Sequence, residues 1–142
     1  MNVMVRLWLT VSFLLPAMLV ACTQPTVHVD GKVPPTFSFT GSRFAEYRHL
    51  HFVFVSEAGS DKMIWQIWPD SYERGNVENI PQITYGVVPT GWTQKIPVQG
   101  TPPALVEGRI YEARGPPIDS HLAYMRFTIR NGKIVTLPLR DD

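Results

Sequence analysis

The chain predicts an all-β protein, an antiparallel sandwich of about seven to eight strands. Twelve of its 13 prolines fall after residue 21. Proline inside a helix costs about 3 kcal/mol, so this distribution leaves little room for helices. Between the prolines lie short runs of β-branched and aromatic residues, spaced at roughly 10 residues, the rhythm of sandwiches and barrels. Near the end, Asn131-Gly132 separates two such runs. That dipeptide is the strongest short-range hairpin signal, because a type I′ turn wants positive φ at both central residues.

Each element follows from its local pattern. Thr36 to Thr40 alternates with period 2, and Gly41-Ser42 turns the chain. Residues 42 to 48 read either as strand or as one helical turn. From His49 to Val55, Leu50, Phe52 and Phe54 alternate with His49, His51, Val53 and Val55. Both faces become apolar along this run, which predicts a central strand. Met63 to Trp68 is the next strand, closed by Pro69-Asp70. Further strands are expected over Ile83 to Val88, Thr93 to Val98, Arg109 to Ala113, Tyr124 to Arg130 and Lys133 to Leu137. A jelly roll or a transthyretin-like sandwich would give nearly the same alternation, so the strand order stays open.

The N-terminus is organised differently. An apolar run of about 13 residues follows Arg6 and contains Pro16, well short of the roughly 20 residues of a spanning helix. A basic n-region, an apolar h-region and small residues before a cleavage point are the layout of a secretory signal. Leu19-Val20-Ala21-Cys22 places the only cysteine at its end. The tetrapeptide resembles the lipobox of bacterial lipoproteins. That resemblance implies cleavage after Ala21, acyl chains on Cys22, and a membrane-anchored protein of the cell envelope. In Gram-negative lipoproteins an Asp after the cysteine signals inner-membrane retention; Thr23 stands there instead, which in a Gram-negative cell implies the outer membrane, facing the periplasm or the cell surface. Expected organisation is therefore a signal peptide at 1–21, a lipidated tether at 22–35 and a sandwich at 36–142. Val27 to Asp30 reads alternatively as a first edge strand.

Without residues 1–21 the chain carries 12 basic and 12 acidic side chains. A neutral surface of interspersed signs argues against nucleic acid, whose phosphates need clustered Lys and Arg. With Cys22 acylated there is no disulfide, so the fold holds by burial alone.

Leu105-Val106-Glu107-Gly108-Arg109-Ile110-Tyr111 sets a leucine six residues before a tyrosine, with a glycine turn between. It resembles the tyrosine corner of fibronectin type III and other immunoglobulin-like sandwiches, where the hydroxyl bonds back to upstream backbone. The resemblance gives Leu105 and Tyr111 structural roles. The runs Ile64 to Ile67, Ile83 to Pro89, Pro103 to Gly108 and Phe127 to Lys133 resemble small bacterial lipoproteins with such a sandwich. That group has no assigned activity to carry over.

Candidate chemistry is sparse. His49 and His51 stand two apart on an expected strand and so share a face, as paired metal ligands would; a third ligand would come from His28, His121 or a carboxylate. No glycine-flanked serine elbow is present, and Ser120-His121 is merely sequential. Asp70, Glu73 and Glu78 crowd one loop, whereas a glycosidase needs two carboxylates across a cleft. No enzyme activity and no cofactor are expected. Trp65 and Trp68 point to opposite sheet faces, so at most one enters the core. Trp68, Tyr72 and Trp92 are the candidate ligand-binding aromatics, large rigid surfaces with a polar handle. The expected function is a lipid-anchored, non-catalytic envelope module that binds or positions a protein or glycan partner. Alternatives are a subunit of a larger envelope or secretion assembly, and a metal-handling protein built on His49 and His51.

Overall fold

A computed structural model describes residues 26–40, 49–60, 62–76, 79–80, 82–115 and 123–139. The lipobox with Cys22, the ambiguous turn at 42–48, Glu78 and the Ser120-His121 pair lie outside the described residues. Among the described residues there are nine strands: β1 (Thr26–Val29), β2 (Thr36–Thr40), β3 (Val53–Glu57), β4 (Met63–Pro69), β5 (Ile83–Thr84), β6 (Trp92–Ile96), β7 (Ile110–Gly115), β8 (Ala123–Arg130) and β9 (Lys133–Leu137). A 3-10 turn at Glu73–Gly75 stands between β4 and β5. Among the described residues no helix is long and apolar enough to cross a membrane.

The strands form two antiparallel sheets, ordered β1-β2-β5 and β6-β4-β3-β7-β8-β9. The fold is the expected all-β sandwich. Beyond β3 the larger sheet continues through β4 to an edge at β6, and beyond β7 through β8 to an edge at β9.

Register decides what each face carries, since directly opposed residues point the same way. In the small sheet Val27 opposes Phe39, Val29 opposes Phe37, and Phe37 opposes Ile83. These apolar side chains face inward, and Thr26, His28, Thr36, Ser38, Thr40 and Thr84 occupy the other face. In the large sheet Val55 opposes both Trp65 and Ala113, Tyr111 opposes Phe127, and Ile129 opposes Ile134. The two inner faces meet where the Phe37 and Phe127 rings lie 5.9 Å apart. Trp65 packs edge-on to Tyr85 at 5.3 Å, and its indole N–H donates to Gln94 Oε1. Buried aromatic pairs of this kind add about 0.5–1.5 kcal/mol beyond the area they bury.

Two local devices fix the connections. Asn131 and Gly132 both hold positive φ, 52° and 69°, and turn β8 into β9 as a type I′ hairpin requires. Before β7, the buried Tyr111 hydroxyl accepts from the Val106 N–H at 2.8 Å, and Leu105 packs half-buried against the core. That is the geometry of a tyrosine corner. A second tyrosine pins the same loop, with Tyr85 donating to the Pro103 carbonyl at 2.7 Å. Burial, and then the neighbouring Tyr111, push the Tyr85 hydroxyl pKa far above its ordinary range.

Three expectations are corrected. The apolar run Ile83 to Val88 is strand only over its first two residues, because Gly86 takes φ 81° and the Val87 N–H closes a turn on the Thr84 carbonyl. The central strand starts at Val53 rather than His49. Upstream, Leu50 N–H donates to Gly75 O at 2.7 Å and His49 forms an isolated bridge with Asn76, so the loop after β4 captures this segment first. Finally, residues 22–35 are not wholly a tether: β1 begins at Thr26, an edge strand of the sandwich.

Candidate functional site

The outer faces of the two sheets differ in chemistry. That of the small sheet is threonine, serine and histidine. That of the large sheet is built from two rows set by strand register. Gln66, Phe54, Arg114 and Tyr124 oppose one another across β4, β3, β7 and β8. Beside them run Ser56, Glu112, Arg126 and Leu137 across β3, β7, β8 and β9.

Contacts knit the rows together. Arg114 stacks its guanidinium over Tyr124 at 4.7 Å and over Phe54 at 5.8 Å, contacts worth about 0.5–2 kcal/mol each. Its Nη2 donates to Glu112 Oε2 at 2.8 Å. The Tyr124 hydroxyl donates to the other carboxylate oxygen at 2.8 Å, and Arg126 Nε lies 3.7 Å from the same oxygen. Burial alone would raise the Glu112 pKa, but these hydrogen bonds and the two guanidinium charges hold it below the usual carboxylate range. Burial and the bonded carboxylate raise that of Tyr124. Glu112 is therefore a fixed anion and a fixed acceptor, with Tyr124 remaining a donor.

Aromatic rings continue the first row toward β4. Phe52 lies 5.6 Å from Phe54 and 5.9 Å from Trp68, each pair tilted by only 24–25°. Trp68 ends this row 44% exposed. Between rings and charges opens a groove of about 430 Å³, whose lining includes Phe52, Phe54, Ser56, Gln66, Glu112 and Arg114. Small-molecule sites commonly take this form, a concave surface with a few placed polar groups.

The residues singled out from sequence are dispersed. Trp68 belongs to the groove's aromatic row, and Trp65, pointing the other way, is wholly buried. Tyr72 is 59% exposed but lies outside the groove, its ring stacked on His49 at 3.7 Å. Trp92 is corrected: it begins β6 and is 6% exposed, a core residue with no surface to offer a ligand. His49 and His51 do not share a strand face, because both precede β3. His49 Nδ1 is buried without a hydrogen-bond partner, His51 lies beside Tyr72 at 6.3 Å, and His28 is on the opposite sheet. Among the described residues no three His, Cys, Asp or Glu side chains gather as a metal would require. Asp70 accepts from the Thr93 hydroxyl, and Glu73 is exposed in the 3-10 turn.

Sequence reading missed Phe54, Glu112, Arg114, Tyr124 and Arg126. Glu112/Arg114 and Tyr124/Arg126 do show a period-2 polar pattern flanking apolar residues. Their convergence on Phe54 depends on pairing β3 with β7, which no local spacing reveals. Compared with family models, curated proteins and solved structures, the chain matches none.

Proposed function

We propose that the chain is a lipid-anchored, non-catalytic module of the cell envelope that holds a partner on the outer face of its six-stranded sheet. One observation carries this: an ordered aromatic row ending in the exposed Trp68, joined to Glu112, which is hydrogen-bonded to Arg114 and Tyr124 and ion-paired with Arg126. Aromatic and arginine side chains dominate binding energy where proteins meet partners. Here their rotamers are already held by one another, so little ordering entropy remains to be lost on binding. The lipobox at Cys22 supports the anchor, and the surface without net charge after residue 21 supports a partner other than nucleic acid.

The test is photocrosslinking in intact cells with the full-length protein. A photoreactive amino acid at Trp68 is expected to give a reproducible adduct, and one at His28, on the opposite sheet, none. Cys22→Ala should weaken the adduct by releasing the protein from its membrane. Equal labelling from both positions would defeat the assignment of the face.

A further inference from the structure

Resting on that reading of the outer face, we propose that its groove is a glycan site, taking two or three pyranose rings of an extended polysaccharide. Size argues first. Nine residues line the groove, whereas a stable protein interface uses roughly 20–30 on each side. The volume of about 430 Å³ lies instead within the range of small-ligand sites. Its chemistry is mixed in the proportion a sugar needs. Pyranoses present C–H faces that pack on aromatic rings, and hydroxyls that both donate and accept. The groove offers Phe52, Phe54 and the adjoining Trp68 for the first. It offers Gln66, Glu112 and Arg114 for the second.

Charge narrows the class further. Within the groove the Arg114 guanidinium is balanced by the Glu112 carboxylate at 2.8 Å. An anionic ligand would meet that carboxylate, and a cation would meet the guanidinium. A purely apolar ligand would bury both charges without replacing their water, which is costly. A neutral, hydroxyl-rich chain avoids all three penalties.

The experiment uses the full-length protein in detergent micelles, titrated with the neutral glycans cellohexaose and chitohexaose. Calorimetry and tryptophan fluorescence report binding. Saturable binding to at least one of these glycans is expected. Trp68→Ala and Arg114→Ala should each weaken it about tenfold, the loss of roughly one good contact. Trp68→Phe, which keeps a ring, should retain most of the affinity, and circular dichroism checks that each variant is folded. Binding to neither glycan, or binding indifferent to both Trp68→Ala and Arg114→Ala, overturns the glycan assignment. If a protein adduct from position 68 persists in cells in that case, the outer-face reading stands and the occupant is a protein. If the adduct is also absent, both readings fall.

Discussion

Replacing Glu112 with glutamine probes the electrostatic centre of the outer face. The side chain is 15% exposed, and its partners Arg114 and Arg126 are 34% and 17% exposed. Glutamine keeps an acceptor for Tyr124 but removes the charge facing two guanidiniums. Breaking a fully buried pair costs about 3–5 kcal/mol, and a charge-assisted hydrogen bond is worth about 1.5–3. Arg114 is a third solvated, so screening reduces both figures, and a loss of about 1–2 kcal/mol is expected. Urea unfolding followed by tryptophan fluorescence and circular dichroism measures it, with an unchanged slope as evidence that only stability moved.

The pH dependence provides a second signature. The folded Glu112 pKa lies below its ordinary value of 4.5, so the unfolded chain takes up a proton first on acidification. The stabilisation is fully present above 4.5 and is lost as pH falls through the lower, folded value. The gap between parent and Glu112→Gln should therefore be constant around pH 7 and narrow as the pH falls below 4.5. A loss below about 0.5 kcal/mol, or a gap that does not narrow on acidification, would refute the view that the cluster stabilises the fold through an ionised Glu112.

Other outcomes follow from the same geometry. Tyr111→Phe strands the Val106 N–H and should cost about 1–3 kcal/mol in the same unfolding assay. Gly75→Ala should destabilise by roughly 1–3 kcal/mol, since its Cβ would meet the Leu50 carbonyl oxygen at 2.3 Å, a backbone atom; unaltered stability would mean that the loop yields freely. Cys22→Ala should abolish incorporation of labelled palmitate and move the protein out of the membrane fraction. Retained label would place the acyl chains elsewhere.

Where side chains alternate against a core, the fold was legible. Thr36–Thr40, Met63–Pro69 and Lys133–Leu137 match their expected spans within a residue, because period 2 is set by the pleat and burial of one face enforces it. Composition misled where backbone geometry decided. Val87 and Val88 have strand-forming side chains yet sit exposed in a turn, since Gly86 reverses the chain after Thr84. His49 and Leu50 answer to a loop contact more than 20 residues downstream, and Trp92 is buried by tertiary packing that a loop-like neighbourhood hides. The candidate site was legible only at Trp68. The rest depends on register across three strands distant in sequence, information that resides in pairing rather than in any stretch of the chain.

Under the proposed anchor at Cys22, the position of β1 limits how far the domain can stand from a bilayer. Only four Cα steps separate Cys22 from Thr26, where the edge strand begins. At roughly 3.5 Å per residue that span reaches at most about 14 Å, against some 40 Å for a tether running to residue 35. The domain proposed to be anchored at Cys22 would thus ride close to the headgroups, on a tether less than twice the ~8 Å over which membrane charge is felt. With that anchor, a partner would have to come to the membrane surface, because so short a leash would not reach across the compartment.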